Sequence, residues 1–280
     1  MSTIYQMVTD EIIKKLEAGT IPWQQPWRDT RAVNWKTQKP YRGINALLLD
    51  FGEYLTFKQV QEAGGKVKKG AKSHIVVFWK WIEIEKNGQL EKIPFLRYYR
   101  VFELSQTEGL KSRRKETETF EHDPIEAAEK IIDESYQSRP RITFAPGEAY
   151  YSPLTDSISI PAINEYRKPE EYYSTLFHEA IHSTGHKIRL NRASLTEMAA
   201  LGSEIYSKEE LVAEIGAAML CGTVGIENNT IENSAAYIQS WLCVLKKDIR
   251  IVVLAAGQAQ KAADYILGNK ESERDGEAAE

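Results

Sequence analysis

Cysteine is nearly missing from this chain: Cys221 and Cys243 are the only two in 280 residues. So small a number, in apolar settings, excludes a disulfide framework and fits buried thiols in a reducing cytoplasm. No apolar run reaches the roughly 20 residues that a membrane-spanning helix requires. The N-terminus opens on polar residues and an amphipathic stretch, without the hydrophobic core of a signal peptide. A cytoplasmic protein with no membrane partner is therefore expected. There is no internal repeat. A P-loop is also absent, although Gly65 and Gly70 are correctly spaced. Ala71 separates Gly70 from Lys72, and the segment leads into a strand instead of a helix, which argues against nucleotide triphosphate binding.

Charge of one sign is scarce overall, since the net value is −4, but the balance is uneven along the chain. Residues 1–120 hold 21 Lys and Arg against 14 Asp and Glu, an excess of +7, while the remainder holds 15 against 26, an excess of −11. Five of the six tryptophans lie in the first 81 residues. A basic, Trp-rich half followed by an acidic half points to two domains with different work, the first suited to a polyanion.

The acidic half carries the sharpest motif, His178-Glu179-Ala180-Ile181-His182. On a helix, side chains four residues apart stand one above the other. Both imidazoles can then reach one zinc ion at about 2.0–2.1 Å, with Glu179 beside them as general base toward a metal-bound water. Pro169-Glu170-Glu171 is a helix start, with Pro in the first turn and acids at the positive end of the dipole. Gly185 has the position of a C′ glycine that stops the helix. A third ligand is needed. Position 188, where a metzincin has His, is Ile188. His186 is one candidate, beyond the expected stop. Glu214 is the preferred one, on a second helix whose start is marked by Ser207 and Glu210 in capping-box spacing. The bland alternative is an ordinary solvated helix face, against which stand three histidines within nine residues and a suitable acid nearby.

The basic half interleaves Trp23, Trp27, Trp35 and Tyr41 with Arg28, Arg31, Lys36, Lys39 and Arg42 around Pro22 and Pro26. Aromatic faces stack on unpaired bases for about 1–3 kcal/mol each while cations follow the phosphates, an arrangement suited to single-stranded nucleic acid. For any one of these tryptophans, a place in the core is an equal alternative. Lys68, Lys69 and Lys72 form a second basic run, read either as a solvated turn or as a loop that tracks phosphates. Trp79 and Trp81 share a strand face and read as core.

Helices are expected near 4–18, 42–49, 56–63 and 124–138, then through the histidine motif, the Glu214 segment and one long stretch from about 234 to 267. Ser73–Glu85 and Glu91–Leu104 read as a hairpin about Asn87-Gly88. Arg141–Phe144, Ala149–Ser152 and Ser157–Pro161 read as short strands. The expected organisation is a first domain over 1–115, a linker over 116–123, a second domain over 124–268 and a charged, disordered tail over 269–280.

These motifs together resemble the ArdC family of plasmid-borne antirestriction proteins. Pro22-Trp23 to Pro26-Trp27, Tyr41-Arg42-Gly43-Ile44-Asn45 and Val101–Thr107 resemble its N-terminal single-stranded-DNA-binding domain, with Glu103 where that pattern has Asn. Tyr150-Tyr151-Ser152-Pro153, the histidine motif, Glu210–Glu214 and Ala235–Trp241 resemble its zincin-like metallopeptidase domain. The resemblance implies an α+β chain of two domains that shields DNA of a mobile element from restriction. It implies that Tyr41, Arg42 and Asn45 lie in the DNA-binding domain and that His178, His182 and Glu214 hold the ion. That ion is expected to be Zn2+, with another divalent ion such as Mn2+ as the alternative. A protein substrate of the metallopeptidase domain is a further expected partner. Two other readings remain open at this stage: a regulatory zinc metalloprotease whose first domain binds a protein, and a binding protein with a structural metal.

Overall fold

The computed structural model describes residues 3–23, 32–86, 89–114, 124–196, 204–226 and 235–269. They fall into two compact units, the first from Met1–Glu11 and Thr30–Glu118, the second from Ile12–Asp29 and Thr119–Glu271. Residues 12–23 therefore group with the second unit, although they precede the boundary expected near 115. The division falls inside the opening helix, α1 (Ile4–Glu17), which buries Val8, Ile12 and Leu16 at helical spacing. Gly19, at φ 79°, ends it in a Schellman arrangement: Thr20 N–H donates to Lys15 O and Gly19 N–H to Leu16 O, both at 2.9 Å.

The first unit is built on four strands. These are β1 (Ala32–Asn34), β2 (Gly52–Thr56), β4 (His74–Lys86) and β5 (Gln89–Glu103), in the order β1-β2-β5-β4. β1 runs parallel to β2, and β5 is antiparallel to both β2 and β4. Lys86 is in register with Gln89, so a two-residue connection joins the long hairpin, and Asn87-Gly88 itself lies outside the described residues. A small second ladder pairs β3 (Lys66–Val67) with β6 (Thr107–Glu108). Ala32, Leu49, Tyr54, Val76 and Val101 form a core on one side of the sheet, with Tyr41, Phe78 and Tyr99 against it. Two short helices, α2 (Ile44–Leu48) and α3 (Phe57–Glu62), complete the unit. Thr56 caps α3 through its hydroxyl while Gln59 returns to the Thr56 N–H, a complete capping box.

The second unit opens with α4 (Pro124–Lys130), which widens into a π-type turn over Ile131–Ser135. Three strands follow: β7 (Arg141–Phe144), β8 (Tyr150–Ser152) and β9 (Ser157–Ile160). β9 lies between the other two, parallel to β7 and antiparallel to β8. The helices are α5 (Pro169–Thr184), α6 (Ala193–Thr196), α7 (Glu204–Val224), α8 (Ala235–Lys247) and α9 (Ile251–Ile266). α5 packs against β8 and β9 as well as α7 and α9, so it is buried nearly all round.

Two expectations about these helices change. α7 begins at Glu204, so Ser207 lies within the helix and is not its cap. The stretch from 234 to 267 is two helices, broken at Asp248–Arg250 without Gly or Pro, where the Asp248 carboxylate accepts the Arg250 N–H at 3.0 Å. Apolar spacing continues across the break and hides it from a periodicity argument. α5 and α7 meet closely at Gly216: a Cβ there would stand 2.7–3.0 Å from three side-chain carbons of Ile181.

Candidate metal centre

α5 forms where its sequence indicates, with Pro169 in the first turn and Glu170 and Glu171 behind it. One helical turn separates His178 from His182, and their Nε2 atoms converge to 3.2 Å. Two nitrogens bound tetrahedrally to one zinc at about 2.05 Å would be about 3.3 Å apart. The same point is approached from α7 by Glu210, whose Oε2 lies 3.5 Å from His178 Nε2 and whose Oε1 lies 3.5 Å from His182 Nε2. Among the described residues these three offer ligand atoms within 4.8 Å of one another.

The expected third residue, Glu214, is not brought there. It sits one turn further along α7, buried, where its Oε2 accepts the indole N–H of Trp23 at 2.9 Å. Glu210 and Glu214 share a helix face, and spacing alone does not separate them. The register of α7 against α5, fixed where Gly216 meets Ile181, turns Glu210 to the histidines. His186 lies past α5, its Nδ1 accepting the Ile188 N–H at 3.4 Å, and is not part of the cluster.

Behind His182 stands a buried ion pair that the sequence did not disclose. Glu209 Oε1 lies 3.2 Å from His182 Nδ1. Arg192 donates to both oxygens of Glu209, Nη2 at 2.5 Å and Nε at 3.1 Å. Burial opposes the charge on Glu209, but hydrogen bonds from His182 and Arg192 and the Arg192 charge outweigh it, holding its carboxyl down at about 2. Burial also presses His182 toward its neutral form, yet the Glu209 hydrogen bond and the charges of Glu210, Glu209 and Glu179 raise its pKa above the ordinary value. Three carboxylates around one imidazole make a location where positive charge is favoured. Glu179, next to His178 on α5, is itself buried.

Gly185 follows α5 but has φ −72°, so it is not the left-handed stop that was expected. Its smallness serves Arg192: a Cβ would lie 2.9 Å from Nη2 and 3.0 Å from Cζ. An Arg after α5 and an acid within α7 were the only signals available in the sequence. Neither differs there from a surface charge.

The zincin-like metallopeptidase family model matches residues 126–258, and the model of the N-terminal domain of anti-restriction factor ArdC matches residues 2–102. A crystal structure of the antirestriction ArdC protein from the R388 plasmid, metal-free, is 38% identical with a TM-score of 0.74, covering 96% of this chain and 98% of that one. The Mn(II)-bound structure of that protein gives 37% and 0.74 with the same coverage. The chain belongs to the ArdC family.

Other relatives of this ArdC-family chain include two DNA primases TraC of Escherichia coli, 33% and 34% identical over 94% of the chain. The chain spans only 27% and 20% of their lengths. An uncharacterized protein y4eC of Sinorhizobium fredii is 32% identical, with 94% of this chain and 91% of that protein covered. No helix among the described residues is long and apolar enough to cross a membrane.

The residues expected to meet nucleic acid are distributed differently by the ArdC-like fold. Trp23 is fully buried, edge-on to Trp241 with ring centroids 6.0 Å apart, and belongs to the second unit's core. It is not a stacking platform. Asn45 is also buried: its amide accepts the Val77 N–H and donates to the Val77 C=O, each at 2.7 Å. It thereby satisfies main-chain groups of β4, which stands at the end of its sheet's strand order. Tyr41 packs edge-on to Tyr54, and burial raises its pKa. Arg42 is half-buried. Trp35 is half-buried, donating its indole N–H to Lys111 O at 2.9 Å, with the Arg113 guanidinium 5.1 Å from its ring centroid. Lys36 is exposed and pairs with Glu62 at 3.4 Å. Lys68, Lys69 and Lys72 are exposed, and Lys68 Nζ donates to Ser105 O at 2.8 Å. Trp27 and Arg28 lie outside the described residues. Glu103 caps the turn that follows β5, accepting the Ser105 N–H at 2.8 Å.

Proposed function

We propose that this chain is an antirestriction protein that binds single-stranded DNA and carries a divalent metal site on His178, His182 and Glu210. The observation that supports it most is likeness to an antirestriction ArdC protein across 96% of the chain, at 38% identity. In this reading the first unit holds the strand through exposed cations, Lys36, Lys68, Lys69 and Lys72, with Trp35 and Tyr41 as the aromatic candidates that remain among the described residues after Trp23 is assigned to the core. Protection of incoming DNA in the cytoplasm then follows from occupying its phosphates and bases.

The donor set fits a catalytic divalent site: two imidazole nitrogens and one carboxylate, three protein ligands where such a site takes water as the fourth. Zinc is the expected ion and Mn2+ the alternative, the latter bound by the R388 protein. When bound, such an ion supplies Lewis acidity to water or to a carbonyl oxygen. Glu179 is the proposed general base for peptide hydrolysis. Shielding a strand needs no bond cleavage, so the two activities are separable.

Glu179→Gln in the full chain tests this. The variant is expected to keep its metal, its preference for single strands over duplex, and most of its protection in transfer to restricting against non-restricting recipients. Equal affinity for duplex would refute the single-strand reading. Normal binding with transfer as poor as a deletion would make metal chemistry essential to protection.

A further inference from the structure

We propose that Glu209 and Arg192 are positioning residues of the metal centre: their ion pair fixes His182 with its proton on Nδ1 and its Nε2 lone pair directed at the ion. This rests on the metal reading given above, but the geometry behind it belongs to the chain itself.

An ionised carboxylate can only accept hydrogen bonds. Glu209 Oε1 faces His182 Nδ1 at 3.2 Å, so Nδ1 must carry a proton, and in the neutral ring that binds a metal Nε2 is left with its lone pair. The carboxylate has little freedom to do otherwise, because every donor around it is fixed. Arg192 Nη2 meets Oε1 at 2.5 Å, while Arg192 Nε at 3.1 Å and Ser194 Oγ at 2.5 Å meet Oε2.

Arg192 is anchored in turn to the helix that carries His182. Its Nη2 donates to Ile181 O at 2.8 Å and His182 O at 3.3 Å, and its Nη1 to Thr184 Oγ1 at 2.5 Å. His182 is thus held at its ring through Glu209 and at its carbonyl through Arg192, by one network joining α5 to α7. Both charged residues are almost entirely buried, at 4% exposure each. Removing such a pair from water is costly, and apolar residues of similar size would stabilise a core at least as well. What the pair adds is orientation. A carboxylate behind a ligating histidine fixes the ring's tautomer and angle, and its loss typically lowers metal affinity about 10–100-fold.

Glu209→Gln tests this in the full chain, since the neutral amide can donate to Nδ1 as well as accept from it. Two readouts are needed. One is chelator-competition titration with Zn2+ and with Mn2+. The other is long-range ¹H–¹⁵N correlation of the imidazoles in metal-free protein at about pH 9, above the ordinary histidine range. The wild type should show His182 in the Nδ1–H form alone. Glu209→Gln should mix the tautomers and weaken metal about 10–100-fold. Arg192→Lys keeps the charge but loses the fork, and should fall between the two. If Glu209→Gln misfolds, Arg192→Lys carries the same test. Unchanged tautomer and affinity in the folded variants would overturn the proposal. A wild type that shows the tautomer effect but binds neither ion would refute the metal reading, while leaving the hold of Glu209 on the ring in place.

Discussion

The indole N–H of Trp23 donates to Glu214 Oε2 at 2.9 Å across 191 residues of sequence, inside the second unit. That bond assigns both residues. Trp23 is a core tryptophan with a polar tip satisfied, as buried tryptophans usually are. Glu214 is a buried acid with a partner of its own. Trp23→Phe keeps most of the ring volume but removes one donor from a buried carboxylate, and should destabilise by about 1–3 kcal/mol. Trp23→Ala should cost about 3–5 kcal/mol. Denaturant unfolding followed by circular dichroism measures both. Single-strand affinity of the folded Phe variant should be unchanged; a weakening of about 1–3 kcal/mol would return Trp23 to the binding surface.

Asn45 gives a parallel prediction in the first unit. Asn45→Ala deprives the Val77 N–H and C=O of their side-chain partner and should cost about 1–3 kcal/mol. Asn45→Asp should be worse, because an anion would face the Val77 carbonyl oxygen. DNA affinity, measured where each variant is folded, should not change. A stable variant with impaired binding would mean that Asn45 contacts the strand.

Close packing of α5 on α7 can be tested at Gly216. Ala improves helix propensity by about 0.8–1.0 kcal/mol, but its methyl would press on Ile181 Cγ1, Cγ2 and Cδ1 at 2.7–3.0 Å. Overpacking of this kind costs about 1–3 kcal/mol. Two of those carbons are attached directly to Cβ and cannot swing aside by rotation at the chain's end, so destabilisation should win. Ile181→Ala alone leaves a cavity. The double variant should lose less than the sum of the two singles, a coupling that thermal or denaturant unfolding would read as a double-mutant cycle. Additive losses would show that the two side chains do not compete for one space.

Where local chemistry dictates structure, the sequence was legible. Pro169 with two acids started α5, apolar helical spacing placed α1, and the Asn87-Gly88 turn signal placed the hairpin of β4 and β5. His178 and His182 were legible because one helix fixes their separation. The third site residue required the register between two helices. That register depends on a glycine meeting an isoleucine and on where α7 starts, and a pattern within one helix contains neither. Trp23 was misread for a related reason: its indole N–H is satisfied by an acid far away in sequence. Arg192 and Glu209 were invisible because a buried ion pair has the composition of an exposed one.

Asp156 and Arg189 supply the pH prediction. Asp156 sits at φ 46° in the turn between β8 and β9, and its Oδ2 accepts Arg189 Nη1 at 3.0 Å while Arg189 Nη2 meets Oδ1. Tyr151 donates to Oδ1 at 2.8 Å, and Arg189 also binds Ser183 O at 2.7 Å, tying the segment after α5 to the sheet. The Arg189 hydrogen bond, opposed by partial burial and aided by Tyr151 and by the charges of Arg189 and His186, lowers the Asp156 pKa. A carboxyl whose folded pKa lies below its unfolded value, about 3.9, stabilises the fold fully above that value. The contribution is lost as pH falls through the folded pKa. Asp156→Asn tolerates the same backbone conformation but abolishes this contribution. The difference in denaturant midpoint between wild type and Asp156→Asn should be largest near neutrality, hold down to about pH 5, and shrink below about pH 4. A difference that stayed constant into acid would show that the Asp156 charge does not stabilise the turn, leaving only its shape.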